Sequence, residues 1–240
     1  MLLAATLFAP IVASGGHPAH FTVHVDVSQV PGAKPYVKPT RELITEWYPK
    51  INAILFGRGI ELPLKTVIVI FEPTSYAGSG ANHSEIPAHE EEDLTKSVGR
   101  IHVDFSYLER AKYPYLATLI HELTHVNEQY KNPPEWLNEG IADYIRHKYF
   151  EHDIEPKLPS IEDYGIGAKD MDRFRKEGYL AGYTIAGNFL FWLELRKDSG
   201  VIIALSRALR DGAYSPDIFM KRCGAPLNEL WREFISATQQ

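Results

Sequence analysis

The chain has 240 residues, 45% of them apolar and 23% charged, the proportions of an ordinary globular protein long enough for one large domain or two small ones. A net charge of −6 with histidine neutral, and no run of lysine or arginine, excludes a nucleic-acid footprint. Its single cysteine, Cys223, excludes an intramolecular disulfide.

Met1 to Gly16 (MLLAATLFAPIVASGG) is apolar, short and ends in small residues. That is the hydrophobic and cleavage region of a signal peptide without its positive start. Residues 1–15 are read as a signal-peptide remnant, and the location as secreted or periplasmic. No other apolar run is long enough to span a membrane.

Residues 20–30 alternate, with Phe21, Val23, Val25 and Val27 on one side and His20, Thr22, His24 and Asp26 on the other, which predicts a half-buried strand. Pro31, Gly32 and Pro35 end it. Thr40 is placed to cap a helix running to about Leu55, with Leu43, Ile44, Trp47, Ile51 and Ile54 inward, a kink at Pro49 and a stop at Gly57. KTVIVIF, residues 65–71, predicts a buried strand from its β-branched run. Residues 72–97 form a long polar segment. Its acidic run, His89 to Asp93, lacks the alternating oxygen-ligand spacing of a calcium loop and reads as solvated loop. RIHVDFSY, residues 100–107, alternates again and predicts a third strand.

From Tyr113 the pattern is helical. Pro114 opens a helix carrying Leu116, Leu119, Ile120, Leu123 and Val126 as its core stripe and ending near Tyr130. Pro134 suits the first turn of the next helix, from Glu135 to about Phe150. Pro156, Pro159 and Gly165 to Gly167 mark a loop. Helices follow over residues 170–177, 183–197, 201–210 and 226–237, the last with Leu227, Leu230, Trp231, Phe234 and Ile235 inward. The fold class is therefore α+β: a small N-terminal mixed sheet with a helix (17–112), then a mostly helical half (113–240). No linker divides them, so residues 17–240 are read as one domain.

The chemistry centres on His121-Glu122-Leu123-Thr124-His125. Residues four apart share a helix face, so His121 and His125 can reach one metal ion with Glu122 beside them. A catalytic zinc takes three protein ligands and leaves its fourth position to water. Glu139, one helix later across the Pro133-Pro134 turn, is the candidate third ligand; His147, His152 and Asp143 are the alternatives. Gly140 removes bulk beside Glu139 and is expected to let its helix approach the His121–His125 helix. Asp143, four residues after Glu139, can accept the far N–H of a ligand histidine and fix its tautomer. Glu122 is the candidate general base. His20, His24, His83, His89 and His102 read as surface or strand-face residues. Cys223 reads as a small buried group, and Trp47, Trp192 and Trp231 as core.

H-E-x-x-H followed by W-x-x-E-G-x-A-x-Y resembles the glutamate-zincin (gluzincin) metallopeptidases. More specifically, FTVHVDVSQV, EWYPKINAIL, HELTHVNEQ, EGIADYIRHK, EGYLAGYTIAGNFL and LNELWREF resemble the basic secretory protein family of peptidases, over most of the chain from Phe21, although this chain is acidic. The resemblance implies a zincin-like fold, one catalytic zinc held by His121, His125 and Glu139, and a peptide or protein substrate. It also implies a tyrosine facing the oxyanion, for which Tyr183 is the candidate and Tyr179, Tyr144 and His147 the competitors. By the same resemblance, the strand at residues 101–105 is expected to be the sheet edge that holds extended substrate. No nucleic-acid or membrane partner is expected, and the protein is expected to be a monomer. Two rival readings use the same ligands: a zinc hydrolase that does not cleave peptides, and a secreted binding protein with a structural zinc.

Overall fold

The computed structural model describes residues 21–73, 83–85, 98–110, 115–157 and 171–238. The signal-peptide reading, His20, His89, Pro114, most of the polar segment 72–97 and the loop around Pro159 and Gly165 to Gly167 lie outside them. The architecture is mixed α and β, with the sheet before the helical half.

Strand β1 (Thr22–Asp26) runs parallel to β2 (Thr66–Glu72), which runs parallel to β4 (Val98–Asp104); short β3 (His83–Glu85) adds to β4 antiparallel. The order across the sheet is β1-β2-β4-β3. Residues 83–85 pair with residues 100–102, so β3 is the outer strand there, and of the edge expected at residues 101–105, Ile101 and His102 are already paired. Nothing in the sequence of β4 records this, because the partner comes from inside the polar segment. Nor is β2 buried on both faces as its β-branched run suggested. Val67, Val69 and Phe71 are buried, while Thr66, Ile68 and Ile70 are half-buried, since the main helices cover one face.

Helix α1 (Val37–Phe56) follows a short 3-10 turn, Pro31–Tyr36. It starts three residues before Thr40, which is a buried position within the helix and not its cap. Pro49 lies inside the continuous helix, and Gly57, at φ 93°, ends it, in the left-handed region where a side chain would be strained. The phenol of Tyr48 donates to the Leu64 carbonyl and accepts from its N–H, tying α1 to the start of β2.

After β4 the chain turns at once into α2 (Phe105–Arg110), so the third strand is shorter than its alternation suggested. Helix α3 (Tyr115–Glu128) crosses the buried sheet face. There Gly99 gives it room: a Cβ at that position would lie 2.5 Å from Val126 Cγ1. Helix α4 (Glu135–Ile145) does not continue to Phe150 as α-helix but widens into a π-helical turn, Arg146–Glu151, closed by left-handed His152 at φ 59°.

Helices α5 (Met171–Glu177), α6 (Tyr183–Arg196), α7 (Val201–Asp211), α8 (Asp217–Cys223) and α9 (Leu227–Thr238) complete the helical half. Phe174, Tyr179, Phe189, Trp192, Trp231 and Phe234 form one aromatic core there, and Trp231 Nε1 donates to the Phe174 carbonyl. Trp192 and Trp231 are buried as expected, whereas Trp47 is half-buried against Phe150. Cys223 is half-buried, and burial raises its thiol to about 11, which leaves it protonated and inert near neutrality.

Candidate metal centre

The centre is built from α3 and α4. Helical spacing sets His121 and His125 on one face of α3, and the turn through Pro133-Pro134 brings α4 back alongside it. His121 Nε2 lies 3.2 Å from His125 Nε2 and 3.1 Å from Glu139 Oε2, and His125 Nε2 lies 3.6 Å from Glu139 Oε1. Ligand atoms of the three residues lie within 4.8 Å of one another and could hold a metal ion. Both histidines are buried, and Glu139 is half-buried.

Behind the clustered imidazoles stand two carboxylates. Asp143 Oδ1 accepts from His121 Nδ1 at 2.8 Å, the contact expected from the sequence, and its Oδ2 accepts from Thr184 at 2.9 Å. Glu128 Oε2 lies 2.7 Å from His125 Nδ1. This residue had no role in the sequence reading, yet its signal was local: an acid three residues after the second histidine, on the same helical face. Arg210 of α7 stacks its guanidinium over the Phe56 ring and donates to the carbonyls of Asn127 and Glu128, capping α3 where Glu128 sits.

Charge balance in this buried cluster governs protonation. Burial alone would lower the pKa of His121, but Asp143 and Glu139 outweigh it and raise it to about 9. For His125, burial is likewise overcome, chiefly by Glu128, and the pKa is raised. Glu139 and Asp143 are held below the usual carboxylate range: burial opposes this, but hydrogen bonds to the histidines prevail. Glu122 moves the other way. Burial raises it to about 7 against the pull of His121 and His125, and it makes no hydrogen bond among the described residues.

Gly140 does not face α3, as the sequence suggested. It faces α6: a Cβ there would lie 2.6 Å from Ala186 Cβ. Gly187 approaches the α4 backbone in return, its own Cβ position 3.2 Å from the Tyr144 nitrogen and 3.4 Å from the Gly140 carbonyl. The two helices are in near-backbone contact, and α6 thereby brings Tyr183 and Thr184 onto the centre.

The Tyr183 ring stacks on His121 with centroids 6.1 Å apart and planes 13° from parallel. Its backbone is left-handed at φ 43°, costly for a non-glycine residue, and its side chain is half open to solvent. Burial and then Glu139 raise the phenol pKa, so the group stays a hydrogen-bond donor. The competing tyrosines point elsewhere. Tyr179 donates to Asn228 in the aromatic core, and Tyr144 is fully buried beside Lys148 and Tyr149. His147 is not brought to the ligand cluster. Its Nε2 lies 3.4 Å from Thr184 Oγ1, and its Nδ1 lies 2.9 Å from Asp153. His152, an alternative third ligand, bonds the Lys148 carbonyl instead. His102 is paired with Glu72 and half-buried.

Residues 77–234 match the family described as Peptidase of plants and bacteria. The chain belongs to that family. The match takes in α3, α4 and α6, hence every residue of the cluster just described, and peptidase membership implies peptide or protein substrates. No curated protein and no solved structure matches the chain.

Proposed function

We propose that the chain is a zinc-dependent peptidase of gluzincin type, with His121, His125 and Glu139 as the metal ligands and Glu122 as the general base. The observation that carries this is the ligand triangle. Atoms bound tetrahedrally at 2.0–2.1 Å lie about 3.3 Å apart; the two Nε2 atoms are 3.2 Å apart, and the Glu139 carboxylate reaches across both, Oε2 at 3.1 Å from His121 and Oε1 at 3.6 Å from His125. Two neutral nitrogens and one carboxylate suit zinc among the common metals and leave a coordination position for water.

A zinc ion bound there would polarise a peptide carbonyl and acidify water to a pKa of about 7. Glu122 takes the proton of the attacking water as general base and returns it to the departing amine. A buried carboxylate that bonds no described residue has no structural task among them, which supports catalysis over a purely structural metal. Asp143 keeps His121 protonated on Nδ1, so that Nε2 presents its lone pair. Tyr183 donates its phenolic hydrogen to the oxyanion formed as the carbonyl is attacked, held over His121 by its strained backbone.

The test compares wild type with Glu122→Gln for zinc content and for hydrolysis of a mixed peptide library. Equal zinc, with hydrolysis lowered by about a hundredfold or more in the variant, is expected. A wild type that takes up no zinc, or a variant that hydrolyses as fast as wild type, overturns the assignment.

A further inference from the structure

Glu128 Oε2 lies 2.7 Å from His125 Nδ1, and a carboxylate only accepts, so this contact requires a hydrogen on Nδ1. That tautomer is the one that offers the Nε2 lone pair to a metal. We infer that Glu128 is a positioning residue that selects the metal-binding tautomer of His125. The inference rests on the zinc-centre reading above.

Two further features fit that role better than a stabilising one. Glu128 is 1% exposed, and its other oxygen, Oε1, has no hydrogen-bond partner. Its only ion pair among the described residues is the one with His125. A carboxylate buried with half its acceptor capacity unused costs stability, and among the described residues no lysine or arginine side chain within ion-pair distance offsets that cost. What it does achieve is a short charge-assisted bond to a ligand histidine. Arg210 and the end of α3 hold it in place from the backbone side. The centre thus has one carboxylate behind each imidazole: Asp143 from the neighbouring helix for His121, and Glu128 from the same helix for His125.

The experiment measures zinc affinity by chelator competition for the full chain and for Glu128→Gln and Glu128→Leu, each checked for folding by circular dichroism. The imidazole ¹⁵N shifts of His125 report the tautomer. Glu128→Gln, whose amide oxygen can still accept from Nδ1, is expected to bind zinc about tenfold more weakly, and Glu128→Leu up to about a hundredfold more weakly. A purely structural role for Glu128 would leave the Nδ1 shift of His125 unchanged. Affinity in Glu128→Leu equal to wild type overturns the role of Glu128 alone, and so does a loss of affinity with no change in the Nδ1 shift. A wild type that binds no zinc is a different failure, that of the metal centre itself, and removes this role with it.

Discussion

Gly140→Ala puts the helix contact beneath the proposed metal centre to a test. On an unobstructed helix, alanine in place of glycine stabilises by about 1 kcal/mol. Here the added methyl would sit 2.6 Å from Ala186 Cβ and 3.4 Å from Leu190 Cδ1. Ordinary carbon contacts lie near 3.5–4.0 Å, so the methyl is short of room by about 1 Å. Ala186 Cβ is fixed to the α6 backbone and cannot swing aside; the helices must separate. Overpacking of this kind costs about 1–3 kcal/mol, which reverses the sign expected from helix propensity and leaves a net loss of about 1 kcal/mol. The displacement has a chemical consequence, because Glu139 is adjacent and Asp143 lies one turn on. A centre that tolerates about 0.5 Å should then bind zinc more weakly. Urea denaturation of the metal-free proteins and zinc competition measure the two effects. A Gly140→Ala variant at least as stable as wild type, with unchanged zinc affinity, refutes the reasoning.

Two other outcomes follow from the same site. Tyr183→Phe removes the phenolic hydrogen but not the ring over His121, so kcat is expected to fall by about a hundredfold with zinc content kept; a variant as fast as wild type excludes the oxyanion role. The metal-free protein should lose stability in both pH directions. His121, raised from 6.5 to about 9, contributes stability that is complete below about 6.5 and lost as pH rises through about 9. Glu139 and Asp143, both lowered, contribute stability present above their ordinary values of 4.5 and 3.8 and lost as pH falls below them. Metal must also displace the histidine protons, so zinc affinity should rise between pH 6.5 and 9. Urea midpoints of the metal-free protein that stay equal at pH 6.5 and 9.5 would contradict the His121 contribution.

Much of the centre is legible in the sequence because its logic is local. His121 and His125 are four apart, as are Glu139 and Asp143, and a helix turns that spacing into a shared face wherever it lies. Helical periods after Tyr115 likewise declare themselves through solvent alone, since burial repeats every 3.6 residues; the β-branched run at residues 65–71 announced a strand but not the alternation of its burial. Glu128 belonged to this legible class, three residues after His125, and was passed over. The offset gives only proximity, and its choice of His125 as partner shows in the 2.7 Å contact.

What only the tertiary structure decided are the matters of which surface meets which. Gly140 announced a close approach, but its partner proved to be Ala186 of α6 and not α3. Four residues are candidates for the oxyanion role; that Tyr183 is the one stacked on His121 depends on a left-handed residue at the start of α6 and on the packing that sets α6 against α4. The outer place of β3 is likewise a pairing between segments that carry no mark of each other. Periodicity fixes which side of an element is buried, because water acts on every residue alike; the partner on that side depends on the shapes of distant surfaces, which no local pattern encodes.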